Sequence, residues 1–258
     1  MKTPSSQKLA PQKVALVTGG SRGIGAATCL QLAKAGYAVV VNYAASQVIA
    51  DKLCQSINLA GGTALGLQAD VAAEAQALAM FAAIDAKFGR LDALVNNAGV
   101  VDITARLDEM SVARWKRMFD INVIGSMICA REAVKRMSSR YGHSGGAIVN
   151  LSSAAAKIGS PGQYLDYAAS KGAIDTFTLG LAKEVAAEGI RVNGVRPGII
   201  DTDIHASGGI PDRAAQMAPQ VPMRRAGSAD EVASAIVWLL SDAASYVTGT
   251  TIDVTGGR

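Results

Sequence analysis

Tyr167 and Lys171 lie four residues apart in Tyr167-Ala168-Ala169-Ser170-Lys171. In a helix that spacing puts both side chains on one face. A phenol alone, with a pKa near ~10, keeps its proton and is a poor base at neutral pH. An ammonium beside it can lower that value, so the pair could give a proton to a substrate oxygen and take it back. By itself the pattern is common by chance. Two hydroxyls, Ser152 and Ser153, follow the apolar run at 146–151. At the C-terminal end of a strand a hydroxyl faces the crevice where open α/β sheets bind ligands. Asn122 stands inside a helical stretch, where an asparagine without a function is mildly unfavourable. Cys29, Cys54 and Cys129 are odd in number and match no ligand spacing. They read as buried thiols, and no metal is expected.

A second group of residues could hold phosphate. Thr18-Gly19-Gly20-Ser21-Arg22-Gly23-Ile24-Gly25 follows an apolar run and opens a helix. Glycines at 19, 23 and 25 allow a sharp turn and a close backbone approach to a ligand. The helix N-terminus offers free N–H groups and a positive dipole end to a pyrophosphate. The spacing is neither G-x-G-x-x-G nor G-x-x-x-x-G-K-[ST], which disfavours a P-loop kinase or GTPase.

The elements that must position these residues alternate. Strands are expected at 13–18, 38–42, 63–69, 91–95, 146–151, 190–195 and 251–254. Helices are expected at 23–34, 46–59, 73–88, 114–138, 164–188 and 228–240. The strands are continuous apolar runs, as in a parallel sheet covered on both faces. Right-handed crossovers then give a single α/β domain, a doubly wound parallel sheet of about seven strands with helices on both faces. Residues 1–12 are polar, carry Pro4 and Pro11, and read as a flexible leader to a catalytic domain at 13–258. Residues 198–226, with Pro211, Pro219, Pro222 and Gly208-Gly209, have no clear period and read as a substrate flap. His205 and Met217 in it are open between substrate contact and simple exposure. His143 sits in a loop with nothing to ligate.

Composition narrows the class. Of 258 residues 50% are hydrophobic, 18% charged and 5% aromatic, and 27 are Gly. That glycine count exceeds the usual share of ~7%. The apolar fraction excludes global disorder, and the low aromatic count argues against a β-sandwich or a base-stacking nucleic-acid binder. The net charge of +4 is mild. The pieces Arg114–Lys116–Arg117 and Arg224–Arg225 read as solvated faces rather than a nucleic-acid patch. The N-terminus lacks the apolar region of a secretory signal, and no run approaches the ~18 apolar residues that span a bilayer. A reducing, cytoplasmic setting without nucleic-acid or membrane partners is expected.

Three pieces together carry a family resemblance. TGGSRGIG at 18–25 resembles the TGxxxGxG cofactor motif of the short-chain dehydrogenase/reductases. Asn96-Asn97-Ala98-Gly99 resembles their NNAG, and 167–171 is their YxxxK. The likeness runs from about residue 13 to 257 and is strongest to members of the 3-oxoacyl-carrier-protein reductase and glucose 1-dehydrogenase types. It implies a Rossmann fold and hydride transfer between a nicotinamide and a carbonyl or secondary alcohol, with Tyr167 as acid and base. Lys171 would assist it, Ser153 would hold the substrate oxygen, and Asn122 would hold a relay water to Lys171. The family spaces serine and tyrosine by 13 residues; here Ser153 is 14 before Tyr167. An extra residue in 159–166 explains this, with Ser152 as the fallback. Cofactor contacts are implied at Gly19, Ser21, Arg22, Gly23, Ile24 and Gly25, at Asp70 and Val71 for the adenine, at Asn97, Ala98 and Gly99, and at Pro197, Gly198, Ile200 and Thr202. Asp70 could otherwise be a plain helix cap. A homotetramer is implied, with interfaces on helices 114–137 and 164–187.

An NAD enzyme of this architecture ends its second strand in an acid that bonds the ribose. Here that end reads Asn42-Tyr43, and Arg22 can place a guanidinium near a 2′-phosphate. NADP(H) is therefore favoured, NAD(H) remains possible, and Asn42→Asp is expected to move preference toward NAD. Two other readings compete. A nucleotide sensor without chemistry would lack part of the Ser153, Tyr167, Lys171 and Asn122 set. A sugar-nucleotide epimerase would need a further C-terminal domain, for which residues past 228 leave no room. The substrate stays open among acyl thioesters, sugars, steroids and small ketones.

Overall fold

The computed structural model describes residues 12–202, 208–209 and 212–258. Seven strands form one parallel sheet: β1 (Val14–Val17), β2 (Ala38–Tyr43), β3 (Thr63–Gln68), β4 (Ala93–Asn96), β5 (Gly146–Leu151), β6 (Ile190–Pro197) and β7 (Thr251–Val254). Their order is β3-β2-β1-β4-β5-β6-β7, so the chain reverses direction across the sheet between β1 and β4. Such a switch point leaves a crevice at the carboxyl ends of the strands.

Side chains alternate across a strand, and here both faces are buried. Ala15 and Val17 of β1, with Val39 and Val41 of β2, pack under helices α1 (Gly23–Lys34) and α2 (Gln47–Leu59). Val14 and Leu16, with Ala38 and Val40, face α3 (Glu74–Phe88) on the other side. This two-sided burial is why the strands are continuous apolar runs rather than alternating ones. A capping box seats the helix at Ala229–Leu240 on the first face: Ser228 and Glu231 satisfy each other's backbone N–H groups. The three cysteines are buried and unpaired, and burial holds Cys129 up at about 12.

The helix expected at 114–138 is three pieces. α4 (Val112–Phe119) and α5 (Gly125–Met137) are joined by a π turn at Asp120–Ile124, where Gly125 N–H donates to the Asp120 carbonyl. α6 (Ala155–Ile158) precedes the long α7 (Leu165–Val185). Within the span read as irregular, α8 (Arg213–Met217) packs on a small cluster of Ile199, Ala214 and Val221, with Met217 against it. Helix Ala229–Leu240 is thus α9. His205 and residues 1–11 of the leader lie outside the described residues.

Candidate active site

The turn after β1 leaves no room for a side chain at Gly25 and little at Gly19. Gly19 has φ +59°, left-handed backbone that suits glycine. A Cβ on Gly25 would collide with the Gly19 carbonyl and come within 2.6 Å of Asn97 Nδ2. Asn97 Nδ2 donates to the carbonyls of Thr18 (2.8 Å) and Gly19 (3.0 Å), tying the β4 end to the turn. The first turn of α1 holds no acidic residue, and Arg22 at its N-cap makes no side-chain cap bond. The orphan N–H groups there remain open to an anion.

In front of this turn lies a cavity of about 650 Å³. Gly19, Ser21, Arg22, Gly23 and Ile24 line it, with Asn42, Tyr43, Asp70, Val71, Asn97, Ala98, Gly99 and Thr202. The glycine cradle and its free N–H groups fit the diphosphate of a dinucleotide. A second cavity of about 390 Å³ adjoins it and shares Ile24, Asn97, Gly99 and Thr202. Its wall holds Ser152, Ser153, Tyr167, Lys171, Pro197, Gly198 and Ile200. The expected cofactor and catalytic residues therefore meet in one bipartite crevice. Gly25 shapes it from behind, and Asn122 sits beneath it.

Two of the expected residues are tied into the surrounding backbone. Asn42 is 1% exposed. Its Oδ1 accepts from Gly19 N–H (3.2 Å), and its Nδ2 donates to the carbonyls of Leu67 and Ala69. It braces the turn against β3, and the residues that follow β2 at the cavity, Ala44 and Ala45, are exposed. Asn122 is fully buried in the π turn. Its amide accepts from Val100 N–H (2.8 Å) and donates to Val100 O and Ser170 Oγ. That pins the loop after β4 to α7. Asp70 lines the cavity and also acts as a local cap, accepting from Ala72 N–H.

The neighbouring serines diverge because adjacent residues leaving a strand point opposite ways. Ser153 shares the cavity wall with Tyr167, whose phenol pKa it lowers, and its Oγ accepts from Ala155 N–H. Ser152 is turned inward, donating to the Lys171 carbonyl. The segment between Ser153 and Tyr167 makes left-handed turns at Gly159, Ser160 and Gly162. Lys171 is 4% exposed, and its Nζ donates to Leu151 O at 2.6 Å. It lies 5.6 Å from the Tyr167 ring centroid.

The electrostatics depart from expectation. Burial pushes the Lys171 ammonium down to about 8, with Asp175 opposing. Burial also raises the Tyr167 phenol, against the lowering effect of the Ser153 hydrogen bond. Desolvation prevails at Tyr167, and the opposing effect comes from Ser153 rather than from Lys171.

Sequence reasoning missed a buried ion pair. Arg114 Nε and Nη2 donate to both oxygens of Asp166 (2.7 and 3.1 Å), and Asp166 Oδ1 accepts from Tyr167 N–H. Arg114 therefore belongs to the site's scaffold and not to a solvated face. The signal was weak, since one arginine in a basic patch looks like the others. Asn96, Asn150 and Thr178 form a second missed element, a buried chain linking β4, β5 and α7.

A family model described as enoyl-(acyl carrier protein) reductase matches residues 19–258. An uncharacterized oxidoreductase, YgfF, of Escherichia coli is 57% identical over 95% of this chain and 99% of its own. A 3-oxoacyl-[acyl-carrier-protein] reductase of Synechocystis is 41% identical over 95% and 96%. A doubly substituted short-chain dehydrogenase/reductase of Serratia marcescens superposes with a TM-score of 0.87 at 34% identity, covering 96% of this chain and 98% of that one. The chain belongs to the short-chain dehydrogenase/reductase family. As a member it is an NAD(P)-dependent oxidoreductase. Among the described residues no three His, Cys, Asp or Glu side chains gather as a metal site, and no helix is long and apolar enough to cross a membrane.

Proposed function

We propose that this short-chain dehydrogenase/reductase is an NADP(H)-dependent carbonyl reductase or alcohol dehydrogenase with Tyr167 as its acid and base. The observation that carries this is that Ser153, Tyr167 and Lys171 share the wall of the smaller cavity, with Lys171 Nζ 5.6 Å from the Tyr167 ring centroid and the glycine cradle next door. The nicotinamide supplies or accepts the hydride when bound. The chain does the rest. Ser153 holds the substrate oxygen, and the Tyr167 hydroxyl gives it a proton as the carbonyl carbon gains hydride. Burial keeps that phenol protonated, which suits the reductive direction. Lys171 donates to the resulting phenolate and helps restore its proton.

NADP(H) is favoured by charge. Arg22 is exposed at the cavity rim, and its guanidinium makes no hydrogen bond or ion pair among the described residues. No acidic side chain follows β2 through Ser46. The substrate is a small carbonyl or alcohol compound, with 3-oxoacyl thioesters, sugars and small ketones as classes. The three unpaired thiols favour a reducing, cytoplasmic setting. Exposed apolar side chains on α5 and α7, Met127 and Leu179 among them, suit a homotetramer.

The deciding experiment is Tyr167→Phe, assayed by nicotinamide absorbance on a carbonyl panel with each cofactor. Turnover should fall at least a thousandfold while NADPH still binds. Near-normal turnover would remove Tyr167 as the acid.

A further inference from the structure

The smaller cavity holds three basic side chains, Lys171, Arg213 and Arg258, and no acidic one among its described lining residues. The proposed chemistry uses only Lys171. Arg213 opens α8 with its guanidinium 5.1 Å from the Tyr164 ring centroid. Its Nη2 donates to Gln163 Oε1 at 2.6 Å. Both partners are neutral, so they orient the fork without cancelling its charge. Arg258 lines the same cavity, and its guanidinium makes no hydrogen bond or ion pair among the described residues. Arg114, Arg136 and Arg196 are matched to carboxylates, whereas Arg213 and Arg258 are not among the described residues, and these two lie on the wall that also holds Tyr167. The Arg213 guanidinium, with no acidic side chain as partner among the described residues of the cavity wall that also holds Tyr167, offers its charge to an anion, and Arg258 adds a second guanidinium nearby. The planar fork matches the paired oxygens of a carboxylate or a phosphate.

We infer that the substrate carries an oxyanion, a carboxylate or a phosphate, in addition to its reactive carbonyl, and that Arg213 with Arg258 binds it. The inference rests on the carbonyl-reductase reading for the position of the reacting end. Arg213 and Arg258 act on binding and selectivity, while Tyr167 and Ser153 act on the oxygen being reduced. A cavity of about 390 Å³ suits a small oxo acid or oxo phosphate.

The test uses matched pairs with the NADPH-loaded enzyme: levulinate against its methyl ester, and dihydroxyacetone phosphate against dihydroxyacetone. The first pair reads a carboxylate and the second a phosphate. One anionic member should exceed its neutral partner at least tenfold in kcat/KM, through KM. Arg213→Gln should cut that ratio roughly ten- to a hundredfold, the scale of a charge-assisted hydrogen bond. Arg213→Lys should keep more of the ratio than the Gln variant, and Arg258→Gln should cut it by a smaller factor. Ratios near one for both pairs, or a ratio untouched by Arg213→Gln, would overturn the inference. Calorimetric titration of both anions into NADPH-loaded Tyr167→Phe reads binding without turnover. Heat that disappears on adding Arg213→Gln supports the subsite even if no carbonyl is reduced, and then the hydride-transfer reading alone has failed. No heat from either anion overturns the subsite.

Discussion

Lys171 is a cation in a nearly sealed place, 4% exposed and bonded to a carbonyl rather than a carboxylate. Its consequence for stability has a definite sign. In the unfolded chain it keeps its proton to about the ordinary 10.5, whereas burial lowers the native value to about 8. Between those values the unfolded state binds more protons, so stability rises with pH across that window. The shift amounts to about 3 kcal/mol. Urea unfolding of wild type and Lys171→Met should therefore diverge progressively in favour of wild type from pH 8 to 10.5. Parallel curves would show that burial does not depress Lys171. Cofactor choice is a residue-scale matter too. Arg22→Ala should weaken NADPH about tenfold relative to NADH, read from the ratio of KM values. Asn42→Asp should act first on stability, since it replaces a donor facing two carbonyls with an acceptor, at a cost of about 1–3 kcal/mol by chemical denaturation. The exposed Ala44 is the better position for an acid, and Ala44→Asp should move the NADP/NAD ratio toward NAD.

At the scale of elements, the site depends on how α4, the π turn and α7 are joined. Arg114 on α4 reaches across to Asp166, which holds the backbone N–H of Tyr167. Arg114 also donates to Ile103 O at 2.7 Å, gathering the loop after β4 into the same joint. Removing one partner of a buried pair leaves an uncompensated charge and costs roughly 3–5 kcal/mol. Arg114→Met should lower the melting temperature accordingly, while the double variant with Asp166→Leu should recover part of the loss. The two changes should not add, because they break one interaction. The π turn serves a related end. Its extra residue turns Asn122 inward, where one amide bonds both the loop at Val100 and Ser170 of α7.

The whole molecule is a sheet with a crevice at its switch point, and assembly is the next level up. If α5 and α7 form the tetramer faces, Met127→Glu or Leu179→Glu should shift light-scattering mass from four copies of 26.5 kDa toward smaller species. An unchanged mass would move the interface elsewhere. Much of the fold was legible in the chain itself. Alternating apolar runs and 3.6-residue patterns locate the strands and most helices, because burial on both sheet faces leaves a one-dimensional imprint. Glycines at 19 and 25 and the Tyr167–Lys171 spacing are local requirements of backbone and helix geometry, so they too are written in the sequence. What remained illegible depends on approach from distant segments. Ser153 rather than Ser152 meets Tyr167 because of how the chain leaves β5. Asn42 braces a turn because β3 offers two carbonyls beside it. Arg114 is buried because Asp166 arrives 52 residues later. Spacing along a chain records which side chains share an element; only the packed tertiary structure decides which partners, and which solvent exposure, each of them receives.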